Sequence, residues 1–179
     1  MVVPSLGSFV PGWVLLVSKV HYTRIADLPV AWIEELERLK GEIGQALLAA
    51  FGPYVCFEHG PLAGVSQAGC CVDHVHLHMV PASVNLNKIL QLHFTPYPLH
   101  SLKDLRGPTF QLQAYLAFED TRGVLTAYLV GPIPSQFMRQ LLAAEIGLLD
   151  RYDWRQYPGS EEVLQTITRL QANLKSVAK

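Results

Sequence analysis

The segment from His74 to Val80, with the sequence HVHLHMV, constrains this chain more than any other. Alternation of polar and apolar residues with a period of two is typical of a β-strand with one buried face. The imidazoles of His74, His76 and His78 would therefore share one face, roughly 6.6 Å apart along the strand, while the intervening apolar residues enter a core. With 7 His in 179 residues, a random chain would contain roughly 0.01 such patterns. The pattern indicates that the strand face with the three histidines has a chemical function.

Length and composition favour one apolar, weakly charged domain. The 179 residues are enough for a sizeable core, and 50% of them are hydrophobic whereas 16% are charged. The net charge of −1, without a basic block, argues against a nucleic-acid partner. No apolar run reaches the roughly 18 to 20 residues needed to span a bilayer, so we expect no membrane partner. Three cysteines, two of them adjacent, favour a reducing, cytoplasmic setting over a disulfide framework.

The first half of the chain predicts strands around one long helix. A short apolar strand at 14–17 precedes a helix of about six turns, for which Asp27 is the expected N-cap and Pro29 lies in the first turn. Gly52-Pro53 ends this helix, and a second strand at 54–58 leads through a loop to the histidine strand.

The second half predicts a hairpin and two helices. Residues 85–105 are expected to be mostly loop with room for a short helix. Strands are expected at 114–119 and 124–130 around a turn. Helices are predicted at 135–149 and from Ser160 to about Lys175, the second with apolar residues turned inward (Val163, Leu164, Ile167, Leu170 and Leu174). The fold class is therefore α+β, with helices packed on an antiparallel sheet.

The histidine strand resembles the signature of the histidine triad (HIT) family, three histidines that alternate with apolar residues. The segment from Pro11 to His21, PGWVLLVSKVH, is similar to that family's early strand. The similarity covers roughly residues 1–81. It implies a HIT-like antiparallel sheet of about five strands within a nucleotide-binding core at 1–100. Residues 101–179 would then form an α/β C-terminal extension, a hairpin and two helices packed on the same domain.

The resemblance also implies an activity and a partner. Members of the family are homodimers that bind a nucleotide with its α-phosphate over the triad. The central histidine, here His76, attacks the phosphorus and forms a covalent nucleotidyl-histidine, which water hydrolyses. A neutral imidazole with a pKa near 6.5 is nucleophilic at pH 7, which agrees with this role. His74 and His78 would orient His76, stabilise the phosphoryl oxygens and assist the leaving group.

Four positions depart from the family pattern at sites expected to contact the nucleotide or its phosphates. Trp13 stands where a further active-site histidine is usual, and Ser5 where an acid commonly holds the ribose. Glu58 replaces an asparagine that faces the phosphate, where a carboxylate would repel the ligand unless protonated or paired. Cys71 follows Cys70 and replaces a hydroxyl that donates to the leaving group. The nucleophile is intact, but the expected ribose and leaving-group sites have changed.

The C-terminal half offers one phosphate-anchor candidate. Gln136 and Arg139 share a helix face near the Pro132–Pro134 turn. A helix N-terminus with a nearby arginine can bind phosphate, although a solvated helix face explains the same pattern.

Other functions stay open on sequence alone. The triad could be a solvent-facing strand, or an H-x-H pair could bind zinc or magnesium with a third ligand from Glu58, His59 or Cys71. No cofactor is obligatory in the reading based on the family. A third histidine, rather than the glutamine of the family's transferases and phosphorylases, favours hydrolysis of a phosphoramidate or dinucleoside polyphosphate over transfer to phosphate. A nucleotide-binding module with little turnover is the alternative outside enzymes.

Overall fold

The computed structural model describes residues 1–62 and 74–177, with side chains up to residue 173. Its strands are β1 (Val2–Pro4), β2 (Val14–Val17), β3 (Tyr54–Gly60), β4 (His76–Pro81), β5 (Pro96–Leu99), β6 (Ala114–Glu119) and β7 (Leu125–Val130). Its α-helices are α1 (Val30–Phe51), α2 (Asn87–His93), α3 (Pro108–Gln111), α4 (Phe137–Glu145) and α5 (Ser160–Val177). Short 3-10 helices lie at Ile25–Asp27, Leu102–Arg106 and Leu149–Arg151. The α+β class is confirmed.

All strands belong to a single antiparallel sheet in the order β1-β2-β4-β3-β6-β7-β5. The predicted count of about five strands was therefore wrong, since the described sheet has seven. The reason is that β6 pairs with β3, so the C-terminal hairpin continues the sheet that carries the triad. Residues 85–105, predicted to be mostly loop with room for a short helix, contain the short helix α2 and also the edge strand β5, which was not predicted. The sheet's hydrogen bonds cross the predicted boundary at residue 100, because β5 pairs with β7.

Helices cover both faces of this sheet and bury two apolar cores. On one face, α1 and α5 pack over the inward residues of the central strands, including Leu77 and Met79 of β4. On the other face, α2 and α4 cover a second core, which includes Trp13, Phe57 and Phe118. The histidines belong to this second face. The triad thus lies beside a packed aromatic core.

The long helix matches its prediction in extent but not at its start. Asp27 lies in a 3-10 helix, and α1 begins at Val30 after Pro29, because the fixed φ of proline suits a helix entrance. Gly52, at φ 92°, ends the helix in a conformation that favours glycine. Among the described residues, no helix is long and apolar enough to cross a membrane.

The last helix is rotated from its predicted orientation. Leu164 and Ile167, expected inward, are 65% and 38% exposed, whereas Thr166 and Leu170 are buried. The Thr166 hydroxyl accepts a hydrogen bond of 2.7 Å from the Gly12 amide, and Arg169 donates to the carbonyl of Ala50. These polar contacts, which sequence periodicity does not reveal, accompany the rotation of the helix.

Candidate functional site

The triad histidines share one face of the sheet, as the alternation predicts. His76 and His78 lie on β4, where His78 is paired with Leu15 of β2 and with Phe57 of β3. Directly opposed residues of antiparallel strands point to the same face. His74 lies just before the strand begins. The residues between the histidines are buried in the opposite core, which fixes the direction of the imidazoles.

The ring of His76 is held in one tautomer by its own strand. Its Nδ1 lies 2.7 Å from the carbonyl oxygen of His74. Because a carbonyl can only accept, Nδ1 must carry the proton and donate, which leaves the lone pair on Nε2. Burial, the largest effect, lowers the pKa of His76 below its ordinary 6.5. His76 is therefore a neutral imidazole at pH 7 with a nucleophilic Nε2.

His78 is fixed by an aromatic cage. The indole Nε1–H of Trp13 donates to Nδ1 of His78 at 3.0 Å, and the ring of Phe57 stacks on His78 with centroids 4.2 Å apart. Burial, followed by the neighbouring His76 and Arg139, lowers the pKa of His78 well below 6.5. Since Nδ1 accepts, neutral His78 carries its proton on Nε2. It can donate that proton in a hydrogen bond.

His74 is held by hydrogen bonds at the ends of β2 and β4, just after β2 ends and just before β4 begins. Ser18 donates its hydroxyl proton to the carbonyl of Val20 at 2.6 Å, so its oxygen is free to accept. The Nε2 of His74 lies 3.0 Å from that oxygen and 2.9 Å from the Ser18 carbonyl, so Nε2–H donates to both. The ring of His21 contacts His74 edge-on, 5.4 Å between centroids. His74 therefore supports the site at its rim.

A fourth histidine faces the same site. His59 lies two residues after Phe57 on β3 and so shares the triad face. Burial and the charge of His76 lower the pKa of His59. Its Nε2 is buried and has no hydrogen-bond partner among the described residues. Sequence reasoning considered His59 only as a metal ligand, because it could not tell which face of β3 turns to the triad.

Glu58, expected to face the phosphate, lies on the opposite side of the sheet. Its carboxylate accepts a hydrogen bond of 2.6 Å from the amide of Ile25 and one of 2.9 Å from the hydroxyl of Tyr115. Burial raises the pKa of Glu58 to about 7, although both hydrogen bonds and Arg24 lower it. Glu58 thus ties β3 and β6 to the 3-10 helix at Ile25–Asp27. The structure does not bring it to the triad.

Trp13 and Arg139 lie behind the triad. Trp13 is fully buried, and the guanidinium of Arg139 lies 4.5 Å from the centroid of its ring. Arg139 donates to the carbonyl of Tyr152 at 2.9 Å and to that of Gly7. Burial lowers its pKa to about 10. This arginine is committed to holding loops around Trp13.

The remaining predicted contacts lie away from the triad or outside the described residues. Ser5 is buried, donates its hydroxyl to the carbonyl of Leu6 at 3.2 Å and bonds through its amide to Trp13. Gln136 binds the turn at Asp153, to whose carboxylate it donates at 3.1 Å. Cys71 lies outside the described residues. None of the described side chains in this group contributes a charge to the triad.

Two further features bear on cofactors and ligands. Within residues 1–62 and 74–177, no three His, Cys, Asp or Glu side chains are arranged to hold a metal ion. A cavity of about 300 Å³ lies mainly on the α1 side, lined chiefly by apolar residues such as Leu16, Leu36 and Leu77. No histidine or cysteine is among the described residues that line it. The chemistry is concentrated at the histidines.

No protein-family model and no curated protein matches this chain.

Proposed function

We propose that this protein is a HIT-type nucleotide phosphohydrolase that cleaves nucleotidyl conjugates at the α-phosphate through a covalent nucleotidyl-His76. The substrate class is a nucleoside phosphoramidate or a dinucleoside polyphosphate. The observation that supports it most is the hydrogen bond from His76 Nδ1–H to the His74 carbonyl. This bond leaves the Nε2 lone pair free for attack, while burial keeps the ring neutral.

The reaction consists of two successive displacements at the α-phosphorus. In the first, Nε2 of His76 forms a bond to the α-phosphorus as the bond to the leaving group breaks. The leaving group keeps the electron pair of that bond, and an amine leaving group also takes up a proton from solvent. In the second, the oxygen of water bonds to phosphorus, the water loses a proton that finally reaches solvent, and the P–Nε2 bond returns its electron pair to His76. His78 Nε2–H is suited to donate to a phosphoryl oxygen, since Trp13 occupies its Nδ1. Splitting one displacement into two lowers each barrier.

The test compares wild type, His76→Ala and His93→Ala on a panel of adenylyl conjugates in the presence of EDTA. His93 is exposed at the end of α2 and serves as the control. We expect nucleoside monophosphate release by wild type and the control, and loss of at least about 1,000-fold in His76→Ala. Loss of wild-type activity in EDTA would favour a metal site instead. Tight binding without turnover would favour a nucleotide-binding module.

The acceptor and the oligomeric state are tested separately. With a nucleoside phosphoramidate as substrate, a phosphorylase would release a nucleoside diphosphate when inorganic phosphate competes with water, whereas a hydrolase releases the monophosphate as the only nucleotide product. We further propose a homodimer, supported by the apolar composition and by exposed side chains such as Leu164. Sedimentation that shows only monomer at micromolar concentration would contradict the dimer.

A further inference from the structure

The fourth histidine of the triad face has no role in the reaction described so far. The register of β3 and β4 pairs Tyr54 with Pro81 and continues to Phe57 opposite His78. The paired residues end there, and the same register continued by two residues would place His59 opposite His76. Cross-strand neighbours in such positions lie roughly 5 Å apart. Protonation of His76 would disfavour protonation of His59, and this electrostatic interaction agrees with their proximity.

The Nε2 atom of His59 is an unusual group to leave without a partner. It is buried, and no described residue hydrogen bonds to it. Leaving a buried polar atom unpaired costs about 1–3 kcal/mol, so a bound ligand is expected to complete it. The other site imidazoles each use one ring nitrogen within the protein: His74 with Ser18, His76 with its strand and His78 with Trp13. His59 offers a free nitrogen beside the nucleophile.

We propose that His59 is the general base of the second displacement, an inference that rests on the proposed function. A water held between Nε2 of His59 and the phosphorus of nucleotidyl-His76 gives its proton to His59. The water oxygen forms the new O–P bond, and the P–Nε2 bond breaks with its electron pair returning to His76. His59 then releases the proton to solvent. In this way the neutral, buried imidazole of His59 favours hydrolysis of nucleotidyl-His76 over transfer of the nucleotide to another acceptor.

A neutral His59 suits the second displacement, in which water must lose a proton, better than the first displacement, in which His76 attacks. A base must be unprotonated before it acts, and burial lowers the pKa of His59 below its ordinary 6.5, so that the ring is neutral at pH 7. His78 is less suited, because its Nδ1 accepts from Trp13 and its Nε2 carries the proton. His74 uses Nε2 for Ser18 at the rim. Apart from the nucleophile, His59 is therefore the one described histidine of the site whose Nε2 is not already fixed as a proton donor.

The experiment separates formation of the intermediate from its breakdown. His59→Gln keeps a polar side chain of similar length without a basic nitrogen, and His93→Gln is the matched control on the surface. Rapid mixing with an adenylyl conjugate measures the burst of leaving group, intact-protein mass measures the adduct, and steady-state release measures turnover. We expect His59→Gln to give a full burst, to accumulate the adduct and to turn over about 100-fold more slowly than the control.

Azide provides a readout that a structural role would not produce. It attacks phosphorus without losing a proton, so it needs no base and yields the nucleotidyl azide. We expect azide to restore turnover in His59→Gln but not in His76→Ala. If the adduct forms in wild type while His59→Gln turns over as fast as His93→Gln, or if azide does not rescue it, the role of His59 is refuted.

Two further outcomes complete the test. Absence of any adduct in wild type, with turnover unaffected by His76→Ala, refutes the proposed function itself and not only the assignment of His59. If His59→Gln does not fold, the role of His59 is tested in wild type by measuring the rate at which the nucleotidyl-His76 adduct breaks down as a function of pH. The water reaction should then lose rate as pH falls, along a one-proton limb that the azide reaction lacks. Equal pH dependence of both reactions overturns the proposal.

Discussion

The indole nitrogen of Trp13 donates a hydrogen bond to Nδ1 of His78 across the interface between β2 and β4, 3.0 Å away. Trp13 stands where the HIT family usually has a further active-site histidine, and this contact gives it a different role. A histidine at position 13 could exchange a proton with His78, whereas an indole can only donate. Trp13 therefore fixes His78 in the tautomer with its proton on Nε2 and holds it in place.

Replacing Trp13 by phenylalanine tests this contact. The change keeps an aromatic ring. It removes the indole N–H, which is the only hydrogen-bond donor that the described residues supply to Nδ1 of His78. We expect the free energy of unfolding to fall by about 2–3 kcal/mol and kcat to fall about tenfold as His78 loses its fixed orientation. Denaturant unfolding and steady-state rates measure both. Trp154→Phe, at a residue 39% exposed, is the control and should change stability by less than about 0.5 kcal/mol.

The pH dependence of kcat/KM reports the free enzyme's nucleophile. Burial lowers the pKa of His76, so its neutral form persists below pH 6.5. We expect kcat/KM to stay level from pH 8 to 6.5 and to decline only at lower pH. The measurement uses a phosphodiester conjugate whose phosphates do not titrate in this range. An acid limb centred at pH 7 or above would show that His76 is not the nucleophile or is not buried in this way.

Glu58 should make stability depend on pH in the opposite sense from an ordinary surface acid. Its pKa rises from 4.5 to about 7 on folding, so between these values the folded state binds more protons than the unfolded chain. Stability from this group is therefore present below pH 4.5 and is lost as pH rises through about 7. Relative to Glu58→Gln, we expect wild type to lose up to about 3 kcal/mol between pH 4.5 and 8. Urea unfolding of both proteins at several pH values checks the sign.

Arg139 distinguishes a phosphate anchor from a structural residue. Its side chain packs against Trp13 and donates to two loop carbonyls, so Arg139→Met should reduce the free energy of unfolding by about 3 kcal/mol. We expect KM to change less than threefold. Arg38→Met, at an exposed arginine, should leave both quantities unchanged. A tenfold rise in KM with little loss of stability would restore the phosphate-anchor interpretation.

The sequence predicted the local elements that carry the site. The strand at 14–17, the hairpin strand at 114–119 and the histidine alternation all appear. Each is encoded within a few residues, by a short apolar run, by a flanking turn or by period-two alternation. Long-range pairing was not encoded in this way. Nothing near 114–119 indicates that β6 hydrogen bonds to β3, which is why the sheet is wider than predicted.

The identity of the fourth site histidine shows the same limit. Glu58 and His59 are neighbours on β3, so one must point to the triad and the other away. Both faces of the strand are apolar, Val55 and Phe57 on one and Cys56 on the other, so its composition does not choose between them. The pairing of Phe57 with His78 makes the choice.

By itself, the sequence determined that His74, His76 and His78 share one face of a strand, since alternation within one segment fixes relative side-chain direction. Only the tertiary structure decided what surrounds them: Trp13 beneath His78, His59 beside His76 and Glu58 on the far side of the sheet. The physical reason is that strand register and helix rotation are set by hydrogen bonds and packing between residues distant in the chain. A shift of one residue in the register of β3 would place Glu58 at the site in the position that His59 occupies now.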